Sequence, residues 1–367
     1  MAARSSSRLQ GVDAARGVAL LGMVAVHVLP SEDPDGSVSL TDQLASGRSA
    51  AAFAVLAGVG LALASNRWDA RRRLALVLRA ALIGAVGLGL GALDSGVAVI
   101  LAYYAVFFLL VQPFLGWRPR RLLLLAVALA LLVPVISQQV RDQLPERDPS
   151  SPGFSRLGEP GPLLSELLLT GYYPAAAWLA YLVLGLAVGR LALHRAGVAV
   201  GIATCGAGLM ASSVGASRLL LGPLGGEDEL TRYLGAPPDV QSGFFGNVPT
   251  DPGWWLAVDA PHSTTPPDLA GTAGAALLVL GVALLVARRA AVLLAPLAAV
   301  GSMPLSLYTA HVVLLGLTDT DDPERYYLLQ VAAAVAFALV WRRWLGRGPL
   351  EAVLAVVTRL VAGRSRT

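Results

Sequence analysis

The sequence predicts an all-α fold, a polytopic transmembrane helix bundle of about ten helices with both termini cytoplasmic (N-in and C-in) and a C-terminal amphipathic helix. Three observations carry that reading. Of the 367 residues, 55% are hydrophobic and 14% charged, with a mean hydropathy of +0.64, against roughly 45–50% apolar and about 25% charged in soluble domains. Apolar stretches near the ~20 residues that cross a ~30 Å hydrocarbon core recur about ten times. Arginine clusters alternate along the chain with segments rich in acid, proline and glycine.

Taken in order, helices are expected near Leu9–Leu29, Ser49–Ser65, Leu74–Leu93, Val97–Leu115, Leu122–Val140, Tyr173–Leu193, Ala196–Val214, Leu269–Ala287, Pro304–Leu317 and Tyr326–Trp341. The first follows Arg4 and Arg8 as a secretory signal would. It ends Val26-His27-Val28-Leu29-Pro30 with no small-x-small cleavage site, so it reads as the first transmembrane helix. Ala290–Val300 is too short to span and reads as a re-entrant or interfacial piece. Beyond Trp344, Leu350, Val353, Leu354, Val357, Leu360 and Val361 recur at helical spacing, the pattern of an amphipathic helix lying on the membrane surface. No repeat or composition break divides the chain, so residues 1–367 are read as a single integral-membrane domain.

Orientation follows from the arginines. Arg67, Arg71, Arg72 and Arg73, then Arg118, Arg120 and Arg121, then Arg190 and Arg195, then Arg288 and Arg289, then Arg342, Arg343 and Arg347 all fall on the side of the N-terminus. Positive loops face the cytoplasm. Of the 24 acidic residues, all but Asp13, Asp69 and Glu351 fall on the other side. The basic residues, every one an arginine, are spread between spans rather than gathered on one soluble patch, which argues against a nucleic-acid partner and for membrane lipids. The single cysteine, Cys205, cannot form an intramolecular disulfide and reads as a small buried hydrophobe. His27, His194, His262 and His311 have no zinc-type spacing, so no metal site is expected.

The first helix carries Asp13, Arg16 and His27, side chains that are costly at membrane depth unless paired or functional. Eleven steps of about 100° put Arg16 and His27 on one face, about 16 Å apart, with Leu20 and Met23 between. Asp13 can pair with Arg16 three positions on. A plain ion pair at the helix start and a hydrogen-bonded interfacial histidine are the alternatives. His262 is either a solvated loop histidine or an acid–base group beside Asp259. His311, inside an apolar helix, is either functional or hydrogen-bonded between helices. Tyr233, Phe244, Phe245, Trp254 and Trp255 read as an interfacial belt or as stacking partners for a sugar ring.

The string Gly11-Val12-Asp13-Ala14-Ala15-Arg16-Gly17-Val18-Ala19-Leu20-Leu21-Gly22-Met23 resembles the opening of the heparan-alpha-glucosaminide N-acetyltransferase-like membrane proteins and their bacterial relatives. The spacing Arg16-x10-His27 is similar to the signature of the type-three membrane O-acyltransferases. Further similar stretches, in family order, are Ser46-Gly47-Arg48-Ser49-Ala50-Ala51-Ala52-Phe53, Leu101-Ala102-Tyr103-Tyr104, Thr170-Gly171-Tyr172-Tyr173-Pro174, Trp178-Leu179-Ala180-Tyr181, Pro261-His262-Ser263, Gly301-Ser302-Met303-Pro304-Leu305 and Gly348-Pro349-Leu350-Glu351. The heparan-modifying enzymes carry their catalytic histidine in the loop after the first helix. Pro30–Arg48 contains no histidine, and His27 matches the type-three pattern instead.

The resemblance implies a transmembrane acyltransferase of the bacterial plasma membrane that takes acetyl-CoA as donor and an envelope sugar or glycolipid as acceptor. His27 is then the expected general base, with Arg16 and Asp13 in the same cavity and His262 and His311 as further catalytic candidates. Arg71, Arg72, Arg73, Arg288 and Arg289 are the expected ligands of the CoA phosphates, because the planar guanidinium suits phosphate. The alternative from another class is a secondary transporter or exporter of a small polar solute.

Overall fold

The computed structural model describes residues 2–64, 68–93, 95–239 and 243–362 of the protein. Arg67 lies outside the described residues, as do the side chains of Arg4 and Arg8. In chain order the helices are α1 (Ala2–Val28), α2 (Leu40–Ala45), α3 (Arg48–Ala64), α4 (Ala70–Gly91), α5 (Leu101–Leu110), α6 (Pro119–Val140), α7 (Pro160–Ser165), α8 (Ala175–Gly189), α9 (Ala196–Leu221), α10 (Gly226–Leu234), α11 (Pro266–Arg289), α12 (Ala295–Gly301), α13 (Pro304–Leu317), α14 (Pro323–Trp344) and α15 (Pro349–Ala362). Among the described residues six helices are long and apolar enough to cross a membrane, and up to nine spans result if each of three bent pairs counts as one. The chain is a polytopic helical membrane protein.

α1 is the hub, packed against α3, α11 and α12, and touching α13 and α14. α3 packs on α8, α8 on α6, and α11 on α9. Without a hydrophobic drive between helices in lipid, such contacts depend on close backbone approach. A Cβ at Gly58 would collide with the Leu182 carbonyl, and one at Gly185 with that of Val55, so α3 and α8 need both glycines. One buried hydrogen bond, Tyr181 Oη to Thr272 Oγ1 at 2.6 Å, ties α8 to α11. α14 is peripheral: Ala338 is its one fully buried residue.

Three elements depart from the sequence expectation. The stretch expected as a spanning helix at Val97–Leu115 is helical only over Leu101–Leu110, with a single 3₁₀ turn at Gln112–Phe114. Ten residues rise about 15 Å, half the hydrocarbon core. The preceding backbone is irregular where it lines a cavity and finds polar partners there: Ser151 Oγ accepts from Val99 N at 2.9 Å and donates to the Val97 carbonyl at 2.9 Å. Irregular backbone at membrane depth is tolerated in that setting. Second, α8 is preceded by α7 and a π-helical stretch, Glu166–Thr170, bent 53° from it. Third, Cys205 is exposed on α9 rather than buried.

The short piece before Pro304 is helical, with its 3₁₀ turn (Ala291–Leu294) and α12 bent 63° from α13, the geometry of a broken span or re-entrant loop. The C-terminal helix forms as its periodicity predicts. Leu354 is buried, and Glu351 turns back to the start of α13, accepting from Leu305 N at 2.7 Å and Ser306 N at 3.2 Å.

Candidate active site

His27 stands in the last turn of α1, and its Nδ1 lies 3.0 Å from Nε2 of His311 on α13. The rings are nearly parallel, 7° between planes with centroids 5.3 Å apart, the edge-to-edge arrangement of an in-plane N–H···N bond. His311 Nδ1 lies 2.7 Å from Gln330 Oε1 on α14. With the amide oxygen toward His311, His311 carries its proton on Nδ1 and presents a lone pair at Nε2. That lone pair accepts from His27 Nδ1–H. In that arrangement His27 Nε2 is left as an acceptor, the form an imidazole needs to act as a base, whereas turning the amide, which would give the buried Gln330 Nε2 a partner, reverses the direction of the chain.

His27 lines a cavity of about 710 Å³ together with His262, Tyr103, Tyr172, Glu166 and Arg147. His262 is buried, which removes the solvated-loop alternative. Its backbone is left-handed (φ 57°), as is that of Thr264 (φ 53°), a region that non-glycine residues adopt at a cost and that clusters at functional sites. The surroundings hold it there. Asp268 Oδ2 accepts from Thr264 N at 3.0 Å, the His262 carbonyl accepts from Gly246 N at 3.0 Å, and the ring lies between Tyr172 (4.5 Å) and Trp178 (6.4 Å, 11° between planes). Burial pushes His262 down to about 4, so it is neutral at physiological pH. Its Nδ1 has no hydrogen-bond partner among the described residues.

The same cavity has a charged rim. Glu166, buried at the start of the π-helical stretch, faces Arg156 Nη2 at 3.6 Å. Single π-turns recur at functional sites. The Arg147 guanidinium lies 5.9 Å from the ring centres of both Tyr172 and Phe245. Of the five outer-segment aromatics, Phe245 is the one that lines this cavity. Phe244, Trp254 and Trp255 pack with Leu230 and Val258 in a small separate core, and Tyr233 is exposed.

A second cavity, about 280 Å³, is lined by Arg16, Arg79, Met23, Tyr104, Tyr308 and Glu351 among others. Arg16 Nη1 pairs with Asp13 at 3.1 Å and its Nη2 donates to the Leu56 carbonyl at 3.2 Å. Arg79 lies over the Phe108 ring at 6.0 Å and forms no ion pair among the described residues. The Tyr308 ring centre is 6.5 Å from that of His27, so the two cavities approach across a layer of side chains. One face of α1 thus supplies Arg16 and Met23 to one cavity and His27 to the other.

The clusters expected to hold phosphate lie elsewhere. Arg71, Arg72, Arg73, Arg288 and Arg289 line neither cavity. Arg288 donates to the His194 carbonyl and Arg73 to that of Gln112, while Arg71 and Arg289 are exposed. Sequence reasoning missed Gln330, Glu166, Arg147 and Arg79 as site residues. An amide such as Gln330 within an apolar span is itself a signal, because it must find a partner. The catalytic-domain model of heparan-alpha-glucosaminide N-acetyltransferase matches residues 8–219, more than half of the chain and a stretch containing Asp13, Arg16, His27, Arg79 and Glu166, whereas no curated protein matches.

Proposed function

The chain belongs to the heparan-alpha-glucosaminide N-acetyltransferase catalytic family, and from that membership we propose that it moves an acetyl group from cytoplasmic acetyl-CoA to a hydroxyl or amine of an envelope sugar or glycolipid. The observation that carries the proposal is the His27–His311–Gln330 chain ending on the wall of the larger cavity. Acceptor binding is assigned to that cavity, where Glu166, Arg147 and the Tyr172 and Phe245 rings offer polar and stacking partners to a sugar. The donor is assigned to the Arg16 and Arg79 cavity, whose two guanidiniums attract its anionic groups. The thioester then reaches toward Tyr308 and His27.

In the proposed step His27 Nε2 takes the proton as the acceptor oxygen or nitrogen attacks the thioester carbonyl. The new C–O or C–N bond forms, the C–S bond breaks with its electron pair on sulfur, and the proton on His27 returns to the CoA thiolate. His311 and Gln330 hold His27 in the tautomer this requires. In this reading the protein sits in the bacterial plasma membrane with both termini cytoplasmic, and donor and acceptor meet from opposite sides.

Radiolabelled acetyl-CoA supplied to purified protein in lipid nanodiscs, with extracted envelope glycans as acceptors, tests this. Saturable donor binding and label transfer support it, and absence of both overturns it. A second reading, a carrier for a small polar solute, draws on the three bent helix pairs, because broken helices recur in transporters. Solute uptake into proteoliposomes without acyl transfer would favour it.

A further inference from the structure

A third cavity, about 470 Å³, lies between α1, α13 and α14. Its walls are nearly all apolar, among them Leu21, Val24, Leu314, Ala334 and Phe337. The Ser306 hydroxyl on its wall is already held by Glu351 and by Leu350 N, and the Thr309 hydroxyl oxygen is buried. His311 and Gln330, the two residues that orient His27, supply the remaining polar wall. From Gln330 to Phe337 the groove follows α14 for about 10 Å. α14 is held only loosely to the bundle, with Ala338 its one fully buried residue and Leu328, Leu329, Leu339 and Val340 exposed. In a membrane those side chains face hydrocarbon, and the groove behind them opens to the same phase.

Apolar cavities of this kind do not hold water. A hydrocarbon chain is the species that fills this one from the surrounding bilayer. A single pair of residues separates the groove from the candidate active site: His311 walls the groove, and its partner His27 walls the acceptor cavity. A chain lying along α14 therefore ends at this pair, one side chain from the proposed base, and a polar head attached to it meets the larger cavity once it passes His311.

We propose that this groove seats the hydrocarbon chain of a lipid-linked acceptor and so delivers the acceptor hydroxyl or amine to His27 from within the membrane. The proposal rests on the acyl-transfer reading and narrows it. Tethering a reacting group beside the base turns a bimolecular encounter into a local one. Soluble sugars of the same head chemistry are then poor acceptors.

Two measurements test this in nanodiscs. The first compares acetyl transfer to dodecyl glucoside and to methyl glucoside. The parent protein should prefer the dodecyl acceptor by at least about tenfold in kcat/KM, the gain expected of even modest preorganisation. Ala334→Trp, which fills the groove, should bring the ratio near one, while Leu339→Trp, outside the groove on the same helix, should keep the preference. A ratio near one in the parent, or one that Ala334→Trp leaves intact, overturns the proposal. So does a chain-length preference that attaches to the acyl-CoA, because the occupant is then the donor's acyl chain.

The second measurement needs no turnover. A dodecyl glucoside bearing a diazirine on its chain should label α13 and α14 in the parent and lose that labelling in Ala334→Trp. Labelling spread equally over α6 and α9 overturns the groove as a site. Labelling confined to α13 and α14 with no transfer from acetyl-CoA overturns the acyl-transfer reading, and with it the acceptor role, while the chain-binding groove stands.

Discussion

His27 and His311 are 284 positions apart in the chain, yet Nδ1 of the first lies 3.0 Å from Nε2 of the second. The contact makes His311 a positioning residue. It touches neither proposed substrate through its ring nitrogens, which are taken up by His27 and Gln330.

Gln330→Leu removes the acceptor that keeps the proton on His311 Nδ1, so the His27 tautomer is no longer fixed. A hydrogen bond worth about 1 kcal/mol corresponds to a loss of about fivefold in kcat. Gln330→Glu retains an acceptor at the same place and should recover most of the rate. Steady-state kinetics of the two variants separate these outcomes, with the KM for acetyl-CoA unchanged in both.

Arg16 and Arg79 should behave differently although they line one cavity. Arg16→Ala strands the Asp13 carboxylate, which is mostly enclosed in the bundle, and should cost about 1–3 kcal/mol of stability as well as donor affinity. Arg79→Gln breaks no ion pair among the described residues and should raise the KM for acetyl-CoA several-fold without lowering thermal stability. Charge removal at Arg288 and Arg289 tests the rival phosphate site. Unchanged donor affinity there together with a raised KM in Arg79→Gln assigns the donor to the smaller cavity.

The pH dependence of stability reports on His262. Its folded value of about 4 lies below the ~6.5 of an unfolded chain, so between those values the unfolded state binds a proton that the folded state refuses. The stabilisation is complete above about pH 6.5 and is lost as pH falls toward 4, a change of roughly 3 kcal/mol. Thermal unfolding across this range should show a steeper loss in the parent protein than in His262→Asn. Equal slopes would mean that His262 is open to water.

Much of the bundle is legible in the sequence because hydropathy and helical period report burial in lipid directly. α13 begins and ends where Pro304 and Leu317 predict, and the eleven-residue spacing of Arg16 and His27 correctly puts them on one cavity-facing side of α1. The pairing of His27 with His311 is not legible, because it depends on how α13 packs against α1. α5 is too short to span for a reason that hydropathy does not see: its flanking backbone lines a cavity and is satisfied by Ser151. Arg79 is likewise hidden, since position in an arginine-rich stretch does not tell a cavity cation from a topology signal.

Topology is tested in a Cys205→Ala background with single introduced thiols. Glu227→Cys, on α10, should react with an impermeant maleimide from outside intact cells, and Arg120→Cys only after permeabilisation. The opposite pattern would invert the threading and put the acceptor cavity on the cytoplasmic side.

The most direct test of the central claim is single-turnover acetyl transfer by His27→Ala. General-base catalysis typically contributes about 10²–10⁴-fold, so the rate should fall by roughly that factor while acetyl-CoA still binds and the protein still inserts. Transfer at the parent rate by His27→Ala would contradict the account.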